Sequence, residues 1–314
     1  MLILQRLATS LLLIWAVASL VFLAIHFVPG DPAELLLAQQ GASPDPQAVA
    51  DLRRKLGLDQ PVLTRYADAM LRLLRGDLGA SLRDGTPVID EIALRLPRTL
   101  ELIGAAGLIA ACLGIPLGTL AAVRRGRLTD RVISTAAGFL LAVPVFVLGT
   151  LAVMVFAQQL RLVPAGGFVP FGENPGQHLL LLAMPAFTIG LGLAAMMVRI
   201  TRTAVLDVMS RDFVRTARAK GLRPLPVLVR HVLRNALLPV TTVLALNLGG
   251  LLGGTVLVEY VFNWPGLSGY LVSAVNARDY PEVVGIILVI STLFVLLNMA
   301  VDLLYGALDP RVRA

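Results

Sequence analysis

Residues 7–28 read LATSLLLIWAVASLVFLAIHFV, an apolar run without a charged side chain and long enough to cross a bilayer. Five more apolar runs follow, at 100–123, 132–158, 179–198, 237–258 and 283–305. In hydrocarbon every backbone N–H and C=O must find its partner within the protein, so runs of this length are predicted to be membrane-spanning helices. The expected fold class is an all-α membrane protein with six transmembrane helices. A hydrophobic share of 57% against 15% charged agrees with that expectation. Arg6 precedes the first run, but VPGDPAE beyond it offers no small-residue cleavage pattern, so the run is read as a retained helix rather than a signal peptide. Two prolines and a glycine in Pro29–Gly30–Asp31–Pro32 stop it. His26, near its end, is read as an interfacial residue.

The connecting segments alternate in charge. RRGRLTDR, 124–131, carries four Arg and one Asp, and 199–234 carries nine Arg/Lys against two Asp. The alternate segments are nearly neutral or acidic: 160–178 holds one Arg and one Glu, and 259–282 one basic and three acidic residues. Basic residues collect in short cytoplasmic loops, which places 124–131 and 199–234 inside and both termini in the cytoplasm. The net charge of +7 is thus explained by topology, and no nucleic-acid partner is expected.

Residues 30–99 differ in kind, with nine Arg/Lys and ten Asp/Glu. DPQAVADLRRKLGL and VLTRYADAMLRLLRG read as short amphipathic helices ended by Gly57 and Gly76. The expected organisation is a first transmembrane helix at 1–28, a small extracytoplasmic domain at 29–99 and a five-helix core at 100–314. Prolines 116, 144 and 185 are expected to kink the helices that contain them.

The basic segment at about 206–236 is the most informative stretch. Arg211, Arg215 and Arg218 fall at i, i+4 and i+7, one basic face of a helix, with Phe213, Val214 and Ala217 on the other side. Gly221 breaks that helix, and Pro224 can open a second one. There Leu225, Leu228, Val229, Val232 and Ala236 form an apolar stripe. Helix, glycine bend and amphipathic helix together predict an ordered plug, which a merely topogenic loop does not need.

Several chemistries are excluded. Lys55 and Lys220 are the only lysines and no GxxxxGK[ST] phosphate loop occurs, so ATP hydrolysis is not expected in this chain. Cys112 is the single cysteine, inside an apolar run, and is read as a small buried residue. The three histidines, 26, 178 and 231, are scattered, and no catalytic, cofactor or metal site is expected. Within the spans, Asn247, Asn298 and Asp302 stand out. The asparagines are read as hydrogen-bonding across helix interfaces, with a place at the pore as the alternative, and Asp302 is expected to snorkel or pair with Arg311 or Arg313. Gly249, Gly250, Gly253 and Gly254 permit close helix approach at a subunit interface or at the pore.

The basic segment resembles the cytoplasmic coupling loop of ABC importer permeases, whose pattern is Glu-Ala-Ala, three residues, Gly, nine residues, then Ile-x-Leu-Pro. Gly221 takes the glycine, Ala217 the second alanine and Leu233 the leucine. Arg215, Thr216, His231 and Arg234 depart from the general form. TARAKGL followed by RHVLRNALLP is nevertheless the variant typical of the first permease subunit of the peptide/nickel family. FVPGDP, LGLDQPVLTRY, GDLGASLRDGTPV, VEYVFNWPGL, ARDYPEVVG and NMAVDLLYGALDPRVR resemble the same family, in order and spacing.

That resemblance implies a type I ABC importer permease core in a bacterial or archaeal inner membrane, in contact with membrane lipid. It implies a second homologous permease, two ATP-binding subunits that hold the ATP and Mg, and an extracytoplasmic substrate-binding protein. It places ATPase coupling on Arg215, Thr216, Ala217, Arg218, Ala219, Lys220, Gly221 and Leu233. Relatives carry dipeptides, longer peptides, glutathione or nickel. A gradient-driven transporter or channel without an ATPase is the alternative, although neither an inverted repeat nor a chain of intramembrane carboxylates supports it.

Overall fold

In the computed structural model, residues 2–26, 33–34, 37, 45–55 and 59–308 are described. FVPGDP beyond His26, the glycine at 57 and the tail from 309 lie outside them, as do the side chains of His26 and Asp302, and so do the expectations for those residues. Among the described residues the chain is helical, with one isolated antiparallel bridge, Ala80 to Pro87. The helices are α1 (Leu2–His26), α2 (Pro46–Lys55), α3 (Val62–Leu74), α4 (Val88–Val123), α5 (Leu128–Ala142), α6 (Val145–Ala152), α7 (Pro175–Met209), α8 (Asp212–Ala219), α9 (Arg234–Gly254), α10 (Val256–Val261), α11 (Leu267–Ala277) and α12 (Tyr280–Leu308). Two π-helical stretches, Val153–Gln159 and Val227–Leu233, continue α6 and lead into α9.

Among the described residues five helices are long and apolar enough to cross a membrane, and a sixth candidate is a bent pair whose two halves pass the same test only together. That pair departs from the expectation of a kink. The third apolar run is not one kinked helix: α5 and α6 meet at 98°. Val143 is extended (φ −91°, ψ 124°) and Pro144 (φ −57°, ψ 138°) caps α6. A residue before proline is pushed out of the helical region, and proline cannot donate to the preceding turn. Pro116 and Pro185, by contrast, lie inside α4 and α7, which run on through them. Helices α4 and α7 also extend well past their apolar runs, to 36 and 35 residues.

The chain packs as two units, residues 1–97 with 270–299, and residues 98–269 with 300–314. In the first, two of the strings singled out above meet. GDLGASLRDGTPV forms a tight turn around Gly85 (φ +75°), and its Ser81 Oγ and Leu82 N donate to the Asp279 carboxylate of ARDYPEVVG at 2.6 and 2.9 Å. Asp84 accepts from the Thr86 hydroxyl and amide, which holds its carboxyl below the usual carboxylate range.

In the second unit, α4 and α7 approach backbone to backbone at glycines. A Cβ on Gly118 would stand 2.7 Å from both Thr201 Cβ and Val198 O. Gly114 faces Met197 and Ala194 in the same way one turn earlier, and Gly190 of α7 faces Ile109. Small residues at such crossings let helices pack where lipid gives no hydrophobic drive. Cys112, expected to be buried, is exposed on the surface of α4.

Candidate functional site

The basic segment is built on the end of α7. Ser210 stops that helix, its amide and hydroxyl both donating to Asp207 O, and Arg211 (φ −74°, ψ 149°) turns the chain into α8. Asp212 in the first turn and Arg218 in the last complement the helix dipole. One side of α8 buries Val214 (0% exposed) and Ala217 (7%) against Val205 and Val208 of α7, Ala122 of α4, and Val227, Val232 and Ala236. Apart from Ala122 the cluster lies outside the apolar runs, and sequestering a valine such as Val214 from water is worth about 1.5–3 kcal/mol.

Gly221 closes α8. Its φ is +78°, its amide donates to Arg218 O at 2.9 Å, and the Leu222 amide reaches Ala217 O at 3.4 Å. This is a Schellman motif, in which the left-handed residue is favoured as glycine because a Cβ there clashes with the backbone.

Beyond Gly221 the expectation of a separate second helix is corrected. From Pro224 to Gly254 the chain is one helical rod, so the second amphipathic piece is the start of the fifth span. Its buried residues are Val227, Val232 and Ala236, with Leu228 half-buried, whereas Leu225 (68%) and Val229 (52%) are exposed. The π-helical turn over Val227–Leu233 is the cause. With bonds closing five residues back, Val227 and Val232 come into line, which a period of 3.6 does not anticipate.

The outward surface is basic with apolar islands. Arg211, Arg215, Thr216, Arg218, Ala219, Lys220 and Arg223 are exposed, and so are Phe213, Leu222 and Leu225. Arg211 and Arg215 pair with their own neighbours, Asp207 at 3.0 Å and Asp212 at 3.4 Å, in contacts so exposed that they add little to stability. Leu233 is half-buried at the foot of the cluster.

Asn247 and Asn298 each donate to a carbonyl four residues back on their own helix, Val243 O at 2.7 Å and Phe294 O at 3.0 Å. Gly249 is buried, while Gly250, Gly253 and Gly254 are exposed. Gly254 also lines an apolar cavity of about 250 Å³, bounded by Val145 and Phe146 of α6, Ile189 and Leu193 of α7, and Leu257. The break at Pro144 supplies one wall of it.

Three polar nodes had no signal in local sequence, because their partners are distant. Arg202 and Asp130 form a bidentate ion pair, and the Gly126 amide also donates to Asp130 at 2.9 Å. His178, 1% exposed, has its ring nitrogens 2.7 Å from Val169 O and from Glu101 Oε1, among the rings of Phe168, Phe171 and Trp264. Glu259, also 1% exposed, accepts from Thr99 Oγ1 at 2.8 Å and the Gly269 amide at 2.7 Å. Burial pushes the Glu259 carboxyl above its ordinary range, and these donors counter part of that. Thr255 Oγ1 lies 3.0 Å from both Glu259 Oε1 and Ser268 Oγ, and Ser268 donates to Leu252 O.

A bundle of spans carrying a short, hydrophobically seated helix on the end of one of them is the core of an ABC importer permease. Two solved structures share that fold. One is an amino acid ABC transporter (TM-score 0.51, 14% identity, 71% of this chain and 94% of that one), the other the MetNI methionine ABC transporter in inward-facing form (0.56, 18%, 70% and 97%). The chain belongs to the family of binding-protein-dependent transport system inner membrane components, whose model matches residues 114–314, while the model of the family's N-terminal region matches 1–103. It is 41% identical over 311 residues to the glutathione transport system permease protein GsiC of Escherichia coli strains K12 and CFT073 and of Salmonella choleraesuis, covering 99% of this chain and 98% of each relative. It is a multi-pass inner-membrane permease subunit of an ATP-driven importer that works with ATPase and substrate-binding partners. It is not itself an enzyme, since ATP hydrolysis lies in the partner subunits.

Proposed function

We propose that the chain is one of two related permeases in an importer of short peptides or peptide-like solutes, with glutathione the first substrate to test. The observation that carries the coupling half of this reading is the seating of α8. Val214 and Ala217 bury it against the end of α7 and the start of the rod leading into α9, so displacing α8 displaces both spans. The exposed Arg215, Arg218, Arg223, Leu222 and Leu225 then offer a basic and apolar surface to a groove of an ATPase subunit. Closure of the ATPase pair on ATP and Mg pushes α8, and the fourth and fifth spans swing the cavity open to the outside. A binding protein delivers the solute there, and hydrolysis resets the pore. Both termini lie in the cytoplasm, and residues 29–99 lie on the outer side.

The substrate half rests on the full-length likeness to GsiC. The test is a tagged pull-down from native membranes in mild detergent, with partners identified by mass spectrometry, followed by ATP-driven glutathione uptake in vesicles. Recovery of a second permease with phosphate-loop ATPases, together with uptake, is the expected result. An intact preparation holding this chain alone would replace the reading with a gradient-driven carrier. Assembly with an ATPase but no glutathione uptake would overturn the substrate alone.

A further inference from the structure

We infer that α3 (Val62–Leu74) is an interfacial helix that lies in the phospholipid headgroup region, with one apolar stripe in the acyl boundary, rather than part of a water-surrounded domain. The inference rests only on α1 being a span. Helix α3 is amphipathic, and its half-buried side, Tyr66, Ala69, Met70 and Leu73, faces the protein. A second apolar stripe runs beside it. Leu63, Ala67, Leu71 and Leu74 fall at i, i+4, i+8 and i+11 on one line of the helix, and all four are exposed. Leu63 and Leu74 are 79% and 84% exposed, values that a leucine facing water in a folded domain seldom needs.

The position at which α3 is held indicates what covers the stripe. Tyr66 OH is 2.7 Å from Ser19 Oγ of α1, and its ring meets Phe22 edge-on at 5.4 Å between centroids. Ser19 lies nine residues before Val28, where the apolar run ends, about 13.5 Å at a helical rise of 1.5 Å per residue. Helix α3 is thereby held beside the outer part of that run, the level at which amphipathic helices bury their apolar face in the headgroup and acyl boundary. On α1 itself Leu20 and Leu23 are also exposed. Arg72 and Arg75 are exposed and Arg65 half-buried, against a single Asp68, and guanidinium groups pair well with phosphates. Tyrosine at this level is the usual interfacial anchor.

The test uses spin labels on the full chain in nanodiscs of phosphatidylethanolamine and phosphatidylglycerol. In a Cys112→Ala background, single cysteines replace Leu63, Leu71 or Leu74, with Asp68→Cys as the polar-face control. Collision rates with oxygen and with a water-soluble nickel chelate are compared at each site. Oxygen should dominate at the three leucine positions and the chelate at Asp68→Cys. Chelate-dominated collisions at all four positions would place α3 in water and overturn the inference. Protection from both reagents at the leucine positions would equally overturn it, by showing a protein surface against the stripe. All four replaced side chains are exposed, so the labelled proteins keep their packing.

Discussion

The Arg202 guanidinium holds the Asp130 carboxylate through two bonds, Nε to Oδ1 at 2.7 Å and the terminal nitrogen to Oδ2 at 2.9 Å. Asp130 sits in the first turn of α5 and is 5% exposed, and Arg202 lies on α7 ahead of its junction with α8. The pair therefore ties the short basic loop 124–127 to the helix that carries α8.

Removing one partner leaves the other charge enclosed. Arg202→Met should lower the stability of the second unit, by less than the loss of a fully buried pair because the Arg202 side chain is 29% exposed. Asp130→Asn keeps the shape and should do less harm. Thermal unfolding in detergent reads both, and equal midpoints for wild type and Arg202→Met would refute the role.

Gly221 has open space around it, with no heavy atom within 4 Å of an added Cβ, so a substitution there strains only its own backbone. Gly221→Val should cost about 1–2 kcal/mol in the left-handed turn, enough to displace α8 and lower uptake roughly tenfold. Membrane insertion and expression should stay normal. Gly221→Asn, which tolerates this conformation, should retain most uptake.

Gly118 has no such freedom. Even Gly118→Ala meets Thr201 Cβ and Val198 O, and Gly118→Leu should cost about 1–3 kcal/mol or prevent folding of the second unit. The fluorescence-detected size-exclusion profile of a tagged chain distinguishes the two. A profile and melting point unchanged in Gly118→Leu would show that α4 and α7 do not meet there.

Glu259 predicts a pH dependence. Its folded-state carboxyl is raised by burial, so the folded protein binds more protons than the unfolded chain between the ordinary glutamate value and the raised one. This contribution to stability is complete below the ordinary value and is lost as pH rises through the raised one. Glu259→Gln, which cannot ionise, should flatten that decline in the melting point. Glu259→Ala strands buried donors of Thr99 and Gly269 and should cost about 1–3 kcal/mol at every pH. A wild-type midpoint that rises with pH across this window would contradict the assignment.

Legibility in the sequence depended on the range of the interaction. Six apolar runs, the alternating loop charges and the string around Gly221 are local properties. Hydrocarbon length, backbone satisfaction and the left-handed preference of glycine act within a few residues, so they can be read in order along the chain. The third span shows the limit. Pro144 announces a disturbance, yet a bend of 98° rather than a mild kink depends on what receives α6, namely α7 and α10. The stripe at Leu225 and Val229 failed for a related reason, since the π-helical turn that aligns Val227 with Val232 is selected by the buried cluster they enter.

The sequence by itself determined that this chain is a bundle of membrane helices with a basic, glycine-closed plug between its fourth and fifth spans. Tertiary structure alone decided that the plug is welded to both of those spans, and that Asp130 finds Arg202, Glu101 finds His178 and Glu259 finds Thr99. Those pairs are separated by 72, 77 and 160 positions. A charge or hydroxyl shows its own chemistry in the sequence, but its partner is chosen by the packing of helices, which no local pattern records.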